Sequence, residues 1–444
     1  MGMRVPTIKE GSHYRYYVLA ILTTGGVLNI ADRLILSILL EDIKAEFAFS
    51  DTQIGLITGL AFTAFYVTFG IPIAWLADRK NRKTIIALSI ATWSLMTAIC
   101  GAATGFWSLF IARMGVGVGE SGSGPAGLSL LADYYHKHEL GRAMGFSTLG
   151  ATIGTAVGLM VGGYFADLLG WRIAFVVLGV PGIGLALIVY LTVNEPERGR
   201  FYPEAVPAPK SESWRNALAS WFVTLASLGN NRLYVGVTLA YAGMIVIGYG
   251  FATWLASIML RNFQVSTADV GFYLGLAFIL GGIPGPLLGG FLTDYLVQKN
   301  PKWRAWLPAL ATLLCLPIFY LCLQSTDFWW FLGIFSFGYL IFLMAQPPTL
   351  SLLQLAVKPD ERAMAVAVAM LFNNLIGQAL GGFLIGLTST NLAASMGTLS
   401  LSYAVLAVSA CFGIPAALLY IWTAKSIHPD FETSGSGLRQ APSK

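Results

Sequence analysis

The sequence predicts an all-α membrane protein of twelve transmembrane helices, arranged as two pseudo-symmetric six-helix bundles. Three observations carry that expectation. The chain is 56% hydrophobic and only 11% charged over its 444 residues, whereas soluble domains carry about 25% charged residues. Twelve apolar segments are long enough to cross a bilayer. The two halves share landmarks at a nearly constant spacing.

A membrane helix needs about 20 largely apolar residues. The segments that qualify are 17–40, 52–77, 84–103, 106–134, 142–168, 171–192, 232–262, 267–296, 304–324, 327–357, 361–388 and 398–424. The longest interruption, 193–231, contains EPERGR and several prolines. It divides the chain into an N-terminal bundle (1–192), a linker (193–231), a C-terminal bundle (232–424) and a Gly/Ser-rich flexible tail (425–444). Within the linker, 211–228 carries Trp214, Leu218, Trp221, Phe222 and Leu225 on one helical face. A helix lying on the membrane surface and a solvated connector both fit that pattern.

Basic residues set the orientation, because cytoplasmic loops are enriched in them. Arg79, Lys80, Arg82, Lys83, Lys299, Lys302, Lys358 and both termini fall on one side, with most of the 27 basic residues. Only Lys44, Arg172 and Arg261 fall on the other, and Arg33 and Arg113 lie inside helices. The expectation is a multi-pass inner (cell) membrane protein with cytoplasmic termini and linker. No cleavable signal is evident.

The repeat has three landmarks. Gly55 in DTQIG answers Gly271 in STADVG, 216 residues later, and Asp78 in AWLADRKNRK answers Asp294 in GGFLTDYL at the same offset. Arg142-Ala143-Met144 answers Arg362-Ala363-Met364 at an offset of 220. Two related bundles of this kind suggest a transporter with a binding site near mid-membrane.

Other classes find little support. The net charge of +5 resides in short loops, so no nucleic acid is implied. The four cysteines lie in apolar segments without metal-site spacing, and the four histidines at loops or termini. No metal, cofactor or histidine proton relay is expected. GVGVGE at 115–120 lacks the strand–turn–helix setting of a dinucleotide site. A lipid-modifying enzyme needs a nucleophile–base pair or metal ligands, and no His or Cys is within reach of the intramembrane acids. A sensor that kept the fold and lost transport shares every feature listed.

ADRKNRK at 77–83 resembles the helix 2–3 loop motif of the major facilitator superfamily, Asp-Arg-x-Gly-Arg-Lys, with Asn81 for the usual Gly and Ala74 for the Gly four residues before the Asp. Arg113-x-x-x-Gly117-x-Gly119 resembles its helix 4 motif. Gly154-x-x-x-Gly158, followed by Gly162-Gly163, resembles its helix 5 motif, with Leu159 where Pro is usual. GWR at 170–172 and EPERG at 195–199 also fit, so the likeness covers all twelve helices. Within the superfamily, Ala31-Asp32-Arg33, DTQIGL and ARMGVGVGES are similar to the Spinster lipid transporters, and the compact tails look bacterial. That resemblance implies alternating access, with a lysolipid or sphingosine-phosphate-like substrate and, in at least some members, proton coupling.

The intramembrane charges are the candidate machinery. Helix 1 runs outward and helix 4 inward, so Asp32 and Arg33 share a level with Arg113. Glu120 lies two turns deeper on the same face as Arg113. Burial favours a neutral carboxyl and an adjacent arginine favours the carboxylate. Asp32 and Glu120 are therefore the expected proton carriers, with Arg33 and Arg113 as their controllers and as grips for an anionic head group. Asp78, with the basic run Arg79, Arg82 and Lys83, reads as a gate facing the start of helix 11. Asp294 is expected to do the same toward helix 5, and Arg79 or Arg82 to pair with Asp133. The helix 5 glycines, spaced four apart, read as a sliding contact between the halves.

The second half lacks intramembrane ions. Tyr241, Gln346, Asn373 and Asn374 are its candidate cavity groups, and helix 10 is rich in Phe. One charged wall and one apolar wall suit an amphiphile, although the Phe stripe fits packing or a lipid-facing surface equally well. The expected partners are a small amphiphilic substrate, protons and membrane lipids, with the protein a monomer. The alternative is a proton-coupled symporter of small organic anions, which more polar or cationic groups on helices 7 and 10 would favour.

Overall fold

The computed structural model describes residues 13–201, 225–358 and 361–427, all helical or loop, with no strand among them. Most of the candidate surface helix at 211–228, and the tail beyond 427, lie outside the described residues. Among the described residues, ten helices are long and apolar enough to cross a membrane by themselves. One of these, Met364–Ala424, has 61 residues, about 90 Å at 1.5 Å per residue. It contains two crossings that turn at Gly397, where φ is +55°. A further crossing over 106–132 is interrupted at Ser121–Gly122. The ten, one of them doubled, together with this interrupted crossing make twelve.

In chain order these are α1 (Tyr14–Phe47), α2 (Asp51–Ala77), α3 (Arg82–Cys100), α4 (Phe106–Glu120 continued by Ser123–Ala132), α5 (Lys137–Leu169) and α6 (Trp171–Thr192). Then follow α7 (Arg232–Asn262), α8 (Thr267–Val297), α9 (Trp303–Gln324), α10 (Phe328–Leu355), α11 (Arg362–Met396) and α12 (Ser400–Ala424). α1 is longer than its apolar core. Its last turns carry Glu41, Asp42, Lys44 and Glu46 and remain helical to Phe47.

Local chemistry sets several ends. Ser50 and Gln53 form a capping box at the start of α2, which satisfies donors the helix cannot. Asn81 caps α3 by accepting from Thr84 N at 3.0 Å, a role that glycine lacks the side chain to fill. Gly170, at φ +85°, turns α5 directly into α6. There the Trp171 indole donates to Glu46 at 2.8 Å and Arg172 donates to the same carboxylate at 2.5 Å. The GWR triplet thus ties α6 to the end of α1.

The described residues group into two compact units. One comprises residues up to 201 with 259–276, the other 225–258 with 277 onward. In the first, α1 packs along α5 and α3 packs along α6. The α5 glycines make the α1 contact close. A Cβ on Gly154 would lie 2.5 Å from Val27 O, and one on Gly158 would lie 2.6 Å from Ala31 O. This corrects the sequence reading: the stripe of Gly150, Gly154, Gly158 and Gly162 seats α1, inside one bundle. Only Gly163 turns elsewhere, toward Thr267 and Gly271. Four-residue glycine spacing marks a close helix approach without naming the neighbour.

In the second unit α9 packs with α10 and α12. Its core is aromatic. Phe335 lies 5.2 Å from Phe278 and 6.1 Å from Phe319 between ring centroids, and Phe251 lies tilted against Phe319 at 4.1 Å. Phe331, Phe335 and Phe342 of α10 are buried. Much of the Phe stripe is therefore packing, of the two readings the sequence left open.

Candidate functional site

Helix packing brings the intramembrane ions together. A Cβ on Gly117 would lie 2.3 Å from Phe62 O, and one on Gly119 would lie 2.5 Å from Trp93 N. Only glycine lets α4 approach both α2 and α3 this closely. The consequence is that Arg113 and Glu120 reach the α1 residues Asp32 and Arg33. Asp32, Arg113 and Glu120 are 1%, 1% and 2% exposed.

The four ions are not paired as simple neighbours. Successive residues on a helix point about 100° apart, so Asp32 and Arg33 diverge. Arg33 Nε donates to Glu120 Oε2 at 2.5 Å. Its guanidinium also lies over Phe62 and Tyr66, at 4.8 and 5.0 Å. Arg113 donates to the backbone oxygen of Asp32 at 3.3 Å and lies 5.4 Å from the Phe62 ring. Neither carboxyl oxygen of Asp32 has a hydrogen-bond partner. Glu120 and Arg113 act on it electrostatically, and Thr97 and Trp93 face it from α3. A buried ion normally has a partner, so Asp32 is the exception in the cluster. Immediately before Phe62, residues Leu56–Ala61 form a π-helical turn, a distortion frequent at functional sites.

At the end of the bundle that carries the basic loop, Arg82 is 1% exposed. It donates to Asp133 at 2.6 Å, to Glu195 at 2.7 Å and to Ser129 O at 3.0 Å. Gly199 N donates to the other Asp133 oxygen at 3.0 Å. Arg198 donates to the backbone oxygens of Ala77, Asp78 and Lys80, closing the end of α2. Desolvation raises the Asp78 carboxyl above its ordinary range, and the charges of Arg198, Arg79 and Arg82 oppose that rise. Arg79 lies over Trp75 at 4.4 Å and Lys83 over Tyr190 at 5.6 Å. Asp294 is exposed on α8.

At the opposite end is a cluster the sequence reading passed over. Arg261 donates to Glu41 at 2.7 Å and to Asp51 at 2.8 Å, and Lys44 donates to Asp51 at 2.6 Å. The signal was present: Arg261 is one of three basic residues expected on that side. Its acids stand about two hundred residues away, and no pattern in the sequence links them. Nearby, Asp167 accepts from Ala268 N at 3.0 Å.

In the second unit, Tyr241 is buried with Gln346 as its polar neighbour. Asn373 opens a π-helical segment, Asn373–Leu380, and both its amide atoms are buried without a partner. Asn374 donates back to Met370 O at 2.9 Å. A Cβ on Gly377 would meet Ile245 Cγ2, so this segment lies tightly on α7. Among the described residues no group of His, Cys, Asp and Glu could hold a metal ion.

A family model for the Major Facilitator Superfamily matches residues 22–382. The chain is 29% identical over 418 residues to an "MFS-type efflux pump" of Mycolicibacterium smegmatis, covering 94% of each chain. It is 29% identical over 345 residues to the "Probable galactarate/D-glucarate transporter GudP" of Bacillus subtilis, covering 73% of this chain and 75% of that one. It is 26% identical over 430 residues to the "Sphingosine-1-phosphate transporter SPNS2" of Danio rerio, covering 90% and 84%. The crystal structure of a bacterial homologue of the human lysosomal transporter Spinster, inward-facing and unoccupied, superposes with a TM-score of 0.81. Its sequence identity is 28%, and the match covers 94% of this chain and 98% of that one.

Proposed function

Because this chain belongs to the major facilitator superfamily, a family of membrane transporters and not of enzymes, we propose that it is a proton-coupled secondary transporter of a lysolipid or sphingosine-phosphate-like amphiphile. It works by alternating access as a monomer in the inner membrane, with the basic loops and both termini cytoplasmic. Asp32 and Glu120 carry the protons, and Arg33 and Arg113 receive the anionic head group.

The observation that carries this reading is the Arg33–Glu120 pair at 2.5 Å beside the unpartnered carboxyl of Asp32. An anion that engages Arg33 bidentately displaces Glu120. A displaced carboxylate in a buried site needs a new partner or a proton, so head-group binding and proton uptake are linked. Asp32, without a hydrogen-bonding partner, is the group best prepared to exchange a proton as its surroundings change. Asp78, Arg79, Arg82, Lys83, Asp133 and Asp294 serve as gating groups. Tyr241, Gln346, Asn373 and Asn374 supply neutral contacts. The likeness to the Spinster homologue and to SPNS2 supports the amphiphile.

A second reading is a symporter of small organic anions. Two observations favour it: the likeness to the galactarate/D-glucarate transporter, and the commitment of Phe331, Phe335 and Phe342 to core packing, which leaves less of α10 for an acyl tail. Uptake by proteoliposomes, with and without an imposed pH gradient, separates the two. The panel comprises a lysophospholipid, sphingosine phosphate and a hexaric acid. Saturable, gradient-driven transport of a lipid supports the first reading. Transport of the hexaric acid with no response to either lipid rejects it.

A further inference from the structure

A recess of about 230 Å³ lies inside the first unit, between α1, α3, α4 and α5. It runs along α3 from Ile86 to Trp93 and ends on α1 at Asn29. Seven residues of helix cover about 10 Å, so the recess extends from near the basic end of the bundle toward the charge cluster. Its deep end is walled by Trp93, which faces Asp32, and by Asn29, which faces Glu120.

Buried polar atoms without partners lie behind that wall, in the charge cluster. They are the two carboxyl oxygens of Asp32, Trp93 Nε1, Thr97 Oγ1, Glu120 Oε1 and Arg113 Nε. Folded proteins leave few such groups, and ordered water normally satisfies those that occur. The surroundings of Asp32 hold two orphaned donors, Trp93 Nε1 and Arg113 Nε, one orphaned hydroxyl and a second acid. The charged and titratable groups facing it are Glu120 and Arg113 from α4 and Cys100 from α3. Arg33, its neighbour on α1, is committed to Glu120.

We propose that this recess is a water site that carries protons between the basic side and Asp32, with Trp93 as the positioning residue that holds the last water against the carboxyl. The inference rests on the reading of Asp32 as a proton carrier. It adds the route and the side from which the proton arrives.

The recess can be filled without moving the backbone. A Cβ on Gly26 or Gly127, on two different helices, meets nothing within 4 Å. Infrared spectroscopy of the full chain in lipid reads the C=O band of protonated carboxyls, and the part absent from Asp32→Asn belongs to Asp32. On transfer to D2O that band shifts as the proton exchanges. Gly26→Leu and Gly127→Leu, each checked for folding, are expected to slow the shift roughly tenfold, while Gly145→Ala, which also meets open space, is not. Trp93→Phe removes one donor and moves the band to higher frequency, as a weaker hydrogen bond requires. A band that exchanges at the wild-type rate in both filled variants overturns the recess as the route while leaving Asp32 a proton carrier. The absence of any Asp32 band at every pH the protein tolerates overturns proton carriage by Asp32 itself.

Discussion

Arg33 Nε lies 2.5 Å from Glu120 Oε2, while the adjacent Asp32 makes no side-chain hydrogen bond at all. Two neighbours on one helix therefore have opposite fates. Removing one partner of a buried ion pair strands the other, at a cost of about 3–5 kcal/mol. Glu120→Gln should accordingly lower the thermal midpoint in detergent, followed by tryptophan fluorescence. The double variant Arg33→Met/Glu120→Gln should recover most of that loss without recovering transport. A double variant as unstable as the single one would show that the pair is not what holds α1 to α4.

The contact of α5 with α1 makes a second prediction. A Cβ on Gly158 meets the backbone of Ala31, at 2.6 Å from its oxygen and 2.8 Å from its Cα, and backbone cannot step aside. Gly158→Ala should cost about 1–3 kcal/mol, as overpacking does, and should impair transport because α1 carries Asp32. Gly145→Ala, in the same helix but facing open space, should be neutral or slightly stabilising. Equal thermal midpoints for the two variants would contradict the close packing.

Arg82 makes a third. Its guanidinium serves Asp133, Glu195 and Ser129 at once. A lysine offers a point charge without that fork. Arg82→Lys should therefore behave much like Arg82→Gln, with lower stability and faster trypsin cleavage in the 195–200 segment. Full rescue by lysine would mean that charge alone matters.

Arg261 makes a fourth. It joins residues 259–276 to Glu41 and Asp51. Arg261→Gln should loosen that attachment. A cysteine introduced at Ala268, in a background without the native cysteines, should then react faster with an impermeant maleimide added from the side opposite the basic loops. Unchanged reactivity would show that Arg261 does not hold residues 259–276 in place.

The twelve crossings were legible because apolar length is a strong signal, and the repeat because three landmarks share a spacing. Asp32, Arg33, Arg113 and Glu120 were legible as a set, since ions in apolar runs demand company. Their pairing was not. Which carboxylate Arg33 reaches depends on a long side chain and on Phe62 and Tyr66, whose contribution has no linear pattern. The π-helical turns at 56–61 and 373–380 likewise have no signature in composition or spacing. The α5 glycines illustrate the limit: their spacing announced a close contact, and only packing identified α1 as the neighbour.

If Asp32 couples the proton gradient to transport, its neutral isostere must uncouple the two. Asp32→Asn keeps the size and removes the charge and the titration. Once the panel has identified a substrate, two modes are compared in the same proteoliposomes: accumulation driven by a pH gradient, and exchange of internal for external substrate at equal pH. Accumulation is expected to be abolished and exchange to persist, because alternation with substrate bound needs no titration of Asp32. Gradient-driven accumulation at the wild-type rate in Asp32→Asn would contradict that coupling.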